Sequence, residues 1–162
     1  MDPHNIPDLS QFRHITPLQL RFNDVDVLGH VNNMVYFGFY DTGKARYLEA
    51  VQGAPVDWQH VETVVANVNC AFISPIYFQE EVEVLTMCVE IGVKSFRLLQ
   101  VIRERNTGEI KSMCETVMVC FDPQTRKACQ VSREWRQRLN AFEGRTLDSS
   151  PLTLHSSLLK NI

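Results

Sequence analysis

The chain has 162 residues, 44% hydrophobic and 22% charged, with a formal net charge of −3. That length fits one domain able to bury about two-thirds of its unfolded surface without staples. The charge gives no overall attraction to nucleic acid or to an acidic membrane, so an anionic ligand has to be held by local cations.

Cys70, Cys88, Cys114, Cys120 and Cys129 are odd in number and form neither a CxxC pair nor a spaced metal-ligand set, which points to reduced, structural thiols. The N-terminus has no charged-then-apolar signal pattern and no run reaches the length of a membrane span, so a cytoplasmic protein is expected. Residues 1–15, with Pro3 and Pro7, read as a loosely docked arm. Leu18, Leu20 and Phe22 alternate with Gln19 and Arg21, which predicts a half-buried strand ending at Asn23–Asp24. From Asn33 to about Val51 the period changes to that of a helix. Tyr36, Tyr40, Tyr47 and Val51 form its stripe, Met34, Phe37 and Leu48 widen it, and Lys44, Arg46 and Glu49 make a narrow wet edge. Gly38 and Gly43 permit close backbone approach along it.

Gly53, Ala54 and Pro55 end that helix, and residues 56–61 form a connection. Segments 63–73, 81–91, 95–104 and 110–121 are β-branched or apolar with partial alternation and predict four consecutive strands. Gly92-Val93-Lys94 and Asn106-Thr107-Gly108 supply tight turns between them. Ser132 can cap a last helix that Gly144 stops, and residues 145–162 read as a tail. Strand, long helix, then four strands gives an α+β domain over 16–144, in which an antiparallel sheet of about five strands wraps one hydrophobic helix.

Chemistry gathers where the first strand meets the long helix. Asp24, Asp26 and His30 stand immediately before a helix start that Asn32 or Asn33 can cap. Unpaired backbone donors and the positive end of the helix dipole face that place, an arrangement suited to a developing oxyanion. The same aspartates are equally ordinary turn residues, and His30 can orient a water or simply fix the turn. Asp24, Asp26 and His30 lack a clear further ligand, so no metal is expected.

The run D-V-D-V-L-G-H-V-N-N, followed by Tyr36, Tyr40 and Ala45-Arg46, resembles the hotdog-fold acyl-CoA thioesterases of the 4-hydroxybenzoyl-CoA thioesterase-like type, over about Pro17 to Glu143. Within that family the G-H-V-N-N version is similar to the general acyl-CoA hydrolase branch. The resemblance implies hydrolysis of an acyl-CoA or acyl-carrier-protein thioester without a cofactor, with Asp26 as base or nucleophile. It also implies a backbone N–H at Asn33 or its neighbour as the donor to the thioester carbonyl, and His30, able to orient the attacking water or bond the substrate, stands beside them as a candidate catalytic residue. Asp24, Gly29, Asn32 and Tyr36 then border the substrate, Lys94 and Ser95 meet its phosphate and pantetheine, and two or four copies assemble with the site shared between chains. Val65, Val68 and Phe72 can line an acyl channel or belong to the core. Two rivals are a hotdog hydratase or dehydratase, whose D-x-N-P-x-H spacing this chain lacks, and a non-catalytic acyl-CoA-binding protein.

Overall fold

The computed structural model describes residues 7–57 and 62–148. The beginning of the expected arm, the end of the expected tail and residues 58–61 of the connection lie outside the described residues. Strand β1 (His14–Pro17) pairs antiparallel with β3 (Val82–Ile91), His14 opposite Thr86 and Pro17 opposite Glu83. It lies ahead of the alternation at 18–22 that predicts it. The reason is the length of β3. Once the Leu18 N–H has bonded the Val82 carbonyl at 2.9 Å, β3 offers no further residue, and the chain goes on to a 3-10 turn at Phe22–Asp24. Leu18 and Leu20 still pack against the core beneath the helix, whereas Phe22 is exposed, with its ring edge-on to Phe78.

Helix α1 (Asn33–Gln52) starts at Asn32, whose side-chain oxygen accepts the Met34 N–H, and ends at Gly53. Its buried stripe runs Tyr36, Tyr40, Gly43, Tyr47, Val51, steps of three and four that keep one face toward the sheet. Two expectations for this helix are corrected. Lys44 does not sit on a wet edge: it is buried and paired with Asp41 at 2.7 Å. Met34 and Phe37, assigned to the covered stripe, are exposed. Both follow from the helix lying over β1 and β3, which leaves its Met34–Phe37–Gly38–Asp41 side facing away from its own sheet.

The sheet is completed by β4 (Ser95–Glu104), β5 (Ile110–Asp122) and β2 (Thr63–Phe72), in the order β1-β3-β4-β5-β2, with the short β6 (Lys127–Ala128) on the end of β5. All neighbours are antiparallel, and short turns join β3 to β4 and β4 to β5. β2 is an edge, paired on one side only. Helix α2 (Arg133–Glu143), capped by the Ser132 hydroxyl, closes the core around Tyr47 and Val51. Its Glu143 carboxylate accepts the Tyr47 hydroxyl at 2.6 Å and the Cys88 N–H at 2.8 Å, where a bulge between Cys88 and Glu90 interrupts the β3–β4 ladder. A buried carboxylate thus serves a donor that the sheet leaves free. On the opposite sheet face Phe12 packs with Leu85, Met87, Val101 and Met113.

Gly43 sets how closely α1 meets the sheet. A Cβ there would lie 2.7 Å from Val84 Cγ1 and 2.9 Å from Gln100 Nε2, and that amide donates to the Tyr40 carbonyl at 3.0 Å. Gly43→Ala is expected to lower stability by about 1–2 kcal/mol, overpacking outweighing the better helix propensity of alanine. Urea unfolding checks this, and a raised midpoint would mean that the helix does not rest on Val84.

Candidate active site

The segment from Arg21 to Tyr36 is held by backbone bonds at each step. Val25 and Val31 form an antiparallel bridge that closes the loop between them. Inside it the Asp26 N–H donates to the His30 carbonyl and the Gly29 N–H to the Asp26 carbonyl, both at 3.0 Å. Gly29 has φ of 82°, a left-handed conformation that glycine adopts without strain. The Asn32 N–H then bonds the Asp24 carbonyl at 2.9 Å and the Val31 N–H bonds the Ile76 carbonyl at 2.8 Å. These bonds determine where α1 begins.

The two aspartates do different work. Asp24 is buried, and its carboxylate accepts the Arg21 N–H at 2.8 Å and the Arg21 guanidinium at 3.3 Å. It braces the 3-10 turn from behind. Asp26 is half-buried, its Oδ1 accepts the Leu28 N–H at 2.8 Å, and its Oδ2 makes no hydrogen bond among the described residues. One oxygen therefore orients the carboxylate and the other is left for a reacting group. His30 Nδ1 lies 3.5 Å from the Val31 carbonyl, a long contact within its own turn. Asn32 is the cap and Asn33, exposed, is the first helical residue. Its N–H has no preceding turn of helix to bond.

Tyr36, one turn on, is buried with its ring edge-on to Phe72 at 5.1 Å. Burial pushes its hydroxyl above the ordinary phenol range, against a smaller opposing hydrogen bond at Ile76. It is a wall with a fixed polar tip. Val65, Val68 and Phe72 lie on β2, and all three are partly open to solvent. Each stands opposite a β5 residue, Met118, Thr116 and Ser112 respectively, on the helix side of the sheet.

Lys94 and Ser95 are elsewhere. Their turn joins β3 to β4 where Ile91 and Phe96 pack on Tyr47 and Val51, the C-terminal half of α1. Within one chain they are separated from Asp26 by most of a twenty-residue helix, roughly 25 Å. A cavity of about 660 Å³ lies at that same far end, among Leu48, Thr63, Cys120, Cys129 and Trp135. No group of three or more His, Cys, Asp or Glu side chains able to hold a metal ion occurs among the described residues.

Two features of this region escape a reading of the sequence. Val27 and Leu28, at the tip of the Asp26 loop, are strongly exposed, as is Met34 in the first turn of α1. Apolar residues in a polar turn are the available signal. The second is Lys111 of β5, almost fully buried, whose Nζ donates to Glu80 at 2.7 Å, Glu109 at 2.8 Å and the Pro75 carbonyl at 3.1 Å. Burial alone would depress its pKa, but the two carboxylates outweigh that and raise it. Lys111 thereby secures the 73–80 segment, and with it the Ile76 carbonyl that anchors Val31. A lone cation inside an apolar strand is its sequence signature.

A curled antiparallel sheet around one long helix, with an aspartate turn at the helix start, is the hotdog fold of an acyl-thioester hydrolase. The chain belongs to the thioesterase-like superfamily, whose family model matches residues 20–139. Among curated relatives, the long-chain acyl-CoA thioesterase FadM of Escherichia coli is 27% identical over 127 residues, covering 76% of this chain and 95% of that protein. Among solved structures, a Thermus thermophilus thioesterase complexed with coenzyme A and zinc superposes with a TM-score of 0.74 at 28% identity, covering 83% of this chain and 98% of that one. A 1,4-dihydroxy-2-naphthoyl-CoA thioesterase from Synechocystis shares the fold at a TM-score of 0.68 and 14% identity, over 77% of this chain and 93% of its own.

Replacing the buried cation tests the anchor. Lys111→Met is expected to cost roughly 2 kcal/mol of unfolding free energy, less than the 3–5 kcal/mol of a pair buried on both sides, because Glu109 can turn to water. Equal urea midpoints for variant and wild type would remove Lys111 from this role.

Proposed function

We propose that the chain hydrolyses an acyl-CoA ester to a free carboxylic acid and coenzyme A, with Asp26 as the reacting carboxylate and the Asn33 N–H as the oxyanion donor. One observation supports this above the others: the Val25–Val31 bridge and the Asn32 cap hold the free Asp26 oxygen and an unbonded helix-start N–H within one short backbone frame. The thioester carbonyl, lying at the helix start, is polarised there. Asp26 Oδ2 either takes a proton from an attacking water or attacks the carbonyl itself, and both routes place negative charge on the same carbonyl oxygen. Collapse of the tetrahedral species breaks the C–S bond and releases the thiol. His30 and the exposed Asn33 amide border the water side, and Tyr36 and Phe72 border the acyl side. The names of the relatives, an acyl-CoA thioesterase and a thioesterase holding coenzyme A, support coenzyme A as the carrier. A cytoplasmic setting fits the five unpaired thiols, and no helix among the described residues is long and apolar enough to cross a membrane.

The distance between Asp26 and Lys94 in one chain is resolved by a dimer. Thr63 of β2 lies opposite Cys120, whose N–H bonds the Lys94 carbonyl at 2.8 Å, while Phe72 at the other end of β2 touches Tyr36. β2 has a free edge, and two free edges of identical strands pair about a two-fold axis. An antiparallel β2–β2 pairing sets the start of one strand beside the end of the other. It thereby brings the partner's Lys94 and the partner's Ser95 toward the Asp26 turn. It also gives the exposed Met34, Phe37 and Val68 a surface to cover.

Asp26→Asn is expected to lower turnover of an acyl-CoA about 100-fold or more with the dimer intact, measured by free-thiol release and light scattering. Lys94→Glu is expected to raise KM several-fold through repulsion of the coenzyme phosphates. Co-refolding the two variants recovers roughly a quarter of the wild-type rate at low substrate, because half of the random dimers are mixed and each holds one complete site. Failure to recover on mixing, with mixed dimers demonstrated, would sink the shared site. Undiminished hydrolysis by Asp26→Asn would remove that carboxylate from the chemistry.

A further inference from the structure

β2 and β5 carry a cysteine pair that hydrolysis does not use. Cys70 stands directly opposite Cys114. The hydrogen bonds on either side show which kind of pair this is. The Ile73 and Ser74 N–H groups donate to the Lys111 carbonyl and the Phe121 N–H donates to Glu62, whereas the Cys120 N–H donates to Lys94. Odd-numbered residues of β5 therefore turn their backbone groups toward β2 and even-numbered ones, Cys114 included, away from it. Cys70 and Cys114 are a non-hydrogen-bonded pair, the register in which antiparallel Cα atoms approach to about 4.5 Å and side chains are closest. That is the short end of the roughly 4.4–6.8 Å that a disulfide spans.

The side chains complete the picture. Both thiols lie on the helix side of the sheet, off the free backbone edge of β2, and Cys114 Sγ is 3.7 Å from the Thr116 hydroxyl. Cys70 Sγ is also 3.5 Å from the Ser112 hydroxyl, which accepts the Tyr40 hydroxyl at 2.6 Å and donates to the Ala71 carbonyl at 3.0 Å. Cys70 is half-buried and Cys114 fully buried, so only the former meets a solute directly. The facing Cys114 thiol holds the Cys70 thiol below the usual range, against the opposing effect of burial. Thiolate and thiol are thus arranged in the order that exchange chemistry needs.

We propose that Cys70 and Cys114 form a reversible thiol–disulfide site on the helix side of β2–β5, closed by small-molecule disulfides and reopened by small thiols. The Cys70 thiolate attacks one sulfur of R–S–S–R, an S–S bond forms to Cys70, and R–S⁻ leaves and takes up the proton that Cys70 lost. Cys114 then attacks the Cys70 sulfur, closing the protein disulfide and releasing a second R–S⁻, which takes the Cys114 proton. Two protein thiols are oxidised and one small disulfide is reduced to two thiols. The site does not rest on the hydrolysis reading.

The test uses the full chain, incubated with glutathione disulfide, blocked with an alkylating agent and mapped without reduction. The expected result is a Cys70–Cys114 cross-link that dithiothreitol reverses, and, in Cys114→Ser, glutathione trapped on Cys70. Cross-linking confined to Cys120 and Cys129, glutathione remaining on Cys70 in the wild type, or Cys70 and Cys114 both recovered alkylated would each overturn the proposal. The wild-type map decides even if the serine variant does not fold.

Discussion

The structure depends on where α1 begins. Its first residue is set by two backbone bonds from neighbouring N–H groups: Asn32 to the Asp24 carbonyl and Val31 to the Ile76 carbonyl. One comes from the turn that precedes the helix and the other from a loop more than forty residues later, so local and long-range structure agree on a single position. Each partner is braced in turn. Asp24 is tied to Arg21, and the Ile76 loop is tied through Lys111 to Glu80, Glu109 and Pro75. A helix start defined by side-chain capping alone would fray, because the first turn has no bonds of its own.

The uneven cover of α1 has consequences at both ends. Gly43 draws the helix onto Val84 and Gln100, toward β1 and β3. That tilt fills the core with Tyr40, Tyr47 and Leu98, and leaves Val65, Val68 and Phe72 on β2 partly open beside Met34 and Phe37. An apolar strip next to an unpaired strand edge is costly in water and favourable when covered. Phe72, in that strip, touches Tyr36 one turn into α1, so the apolar strip reaches the start of the helix.

Much of this was legible along the chain. The four consecutive strands, the turns at Gly92 and Gly108, and the Ser132 and Gly144 ends of α2 depend on residues adjacent in sequence, where propensity and capping act directly. The placement of β1 was not, because Leu18, Leu20 and Phe22 alternate as a strand would and only the end of β3 stops the pairing. Nor was the fate of Lys44, which reads as solvated until Asp41 and the sheet are seen around it.

The order of elements, the long aromatic helix and the D-V-D-V-L-G-H-V-N-N turn were determined by sequence alone, since each rests on short-range periodicity and on backbone preferences of neighbouring residues. Tertiary structure alone decided that Lys94 lies at the opposite end of the same chain and that Cys70 faces Cys114. Those are distances between residues far apart in sequence. Sheet register and helix tilt set such distances, and both arise from packing that no local pattern encodes.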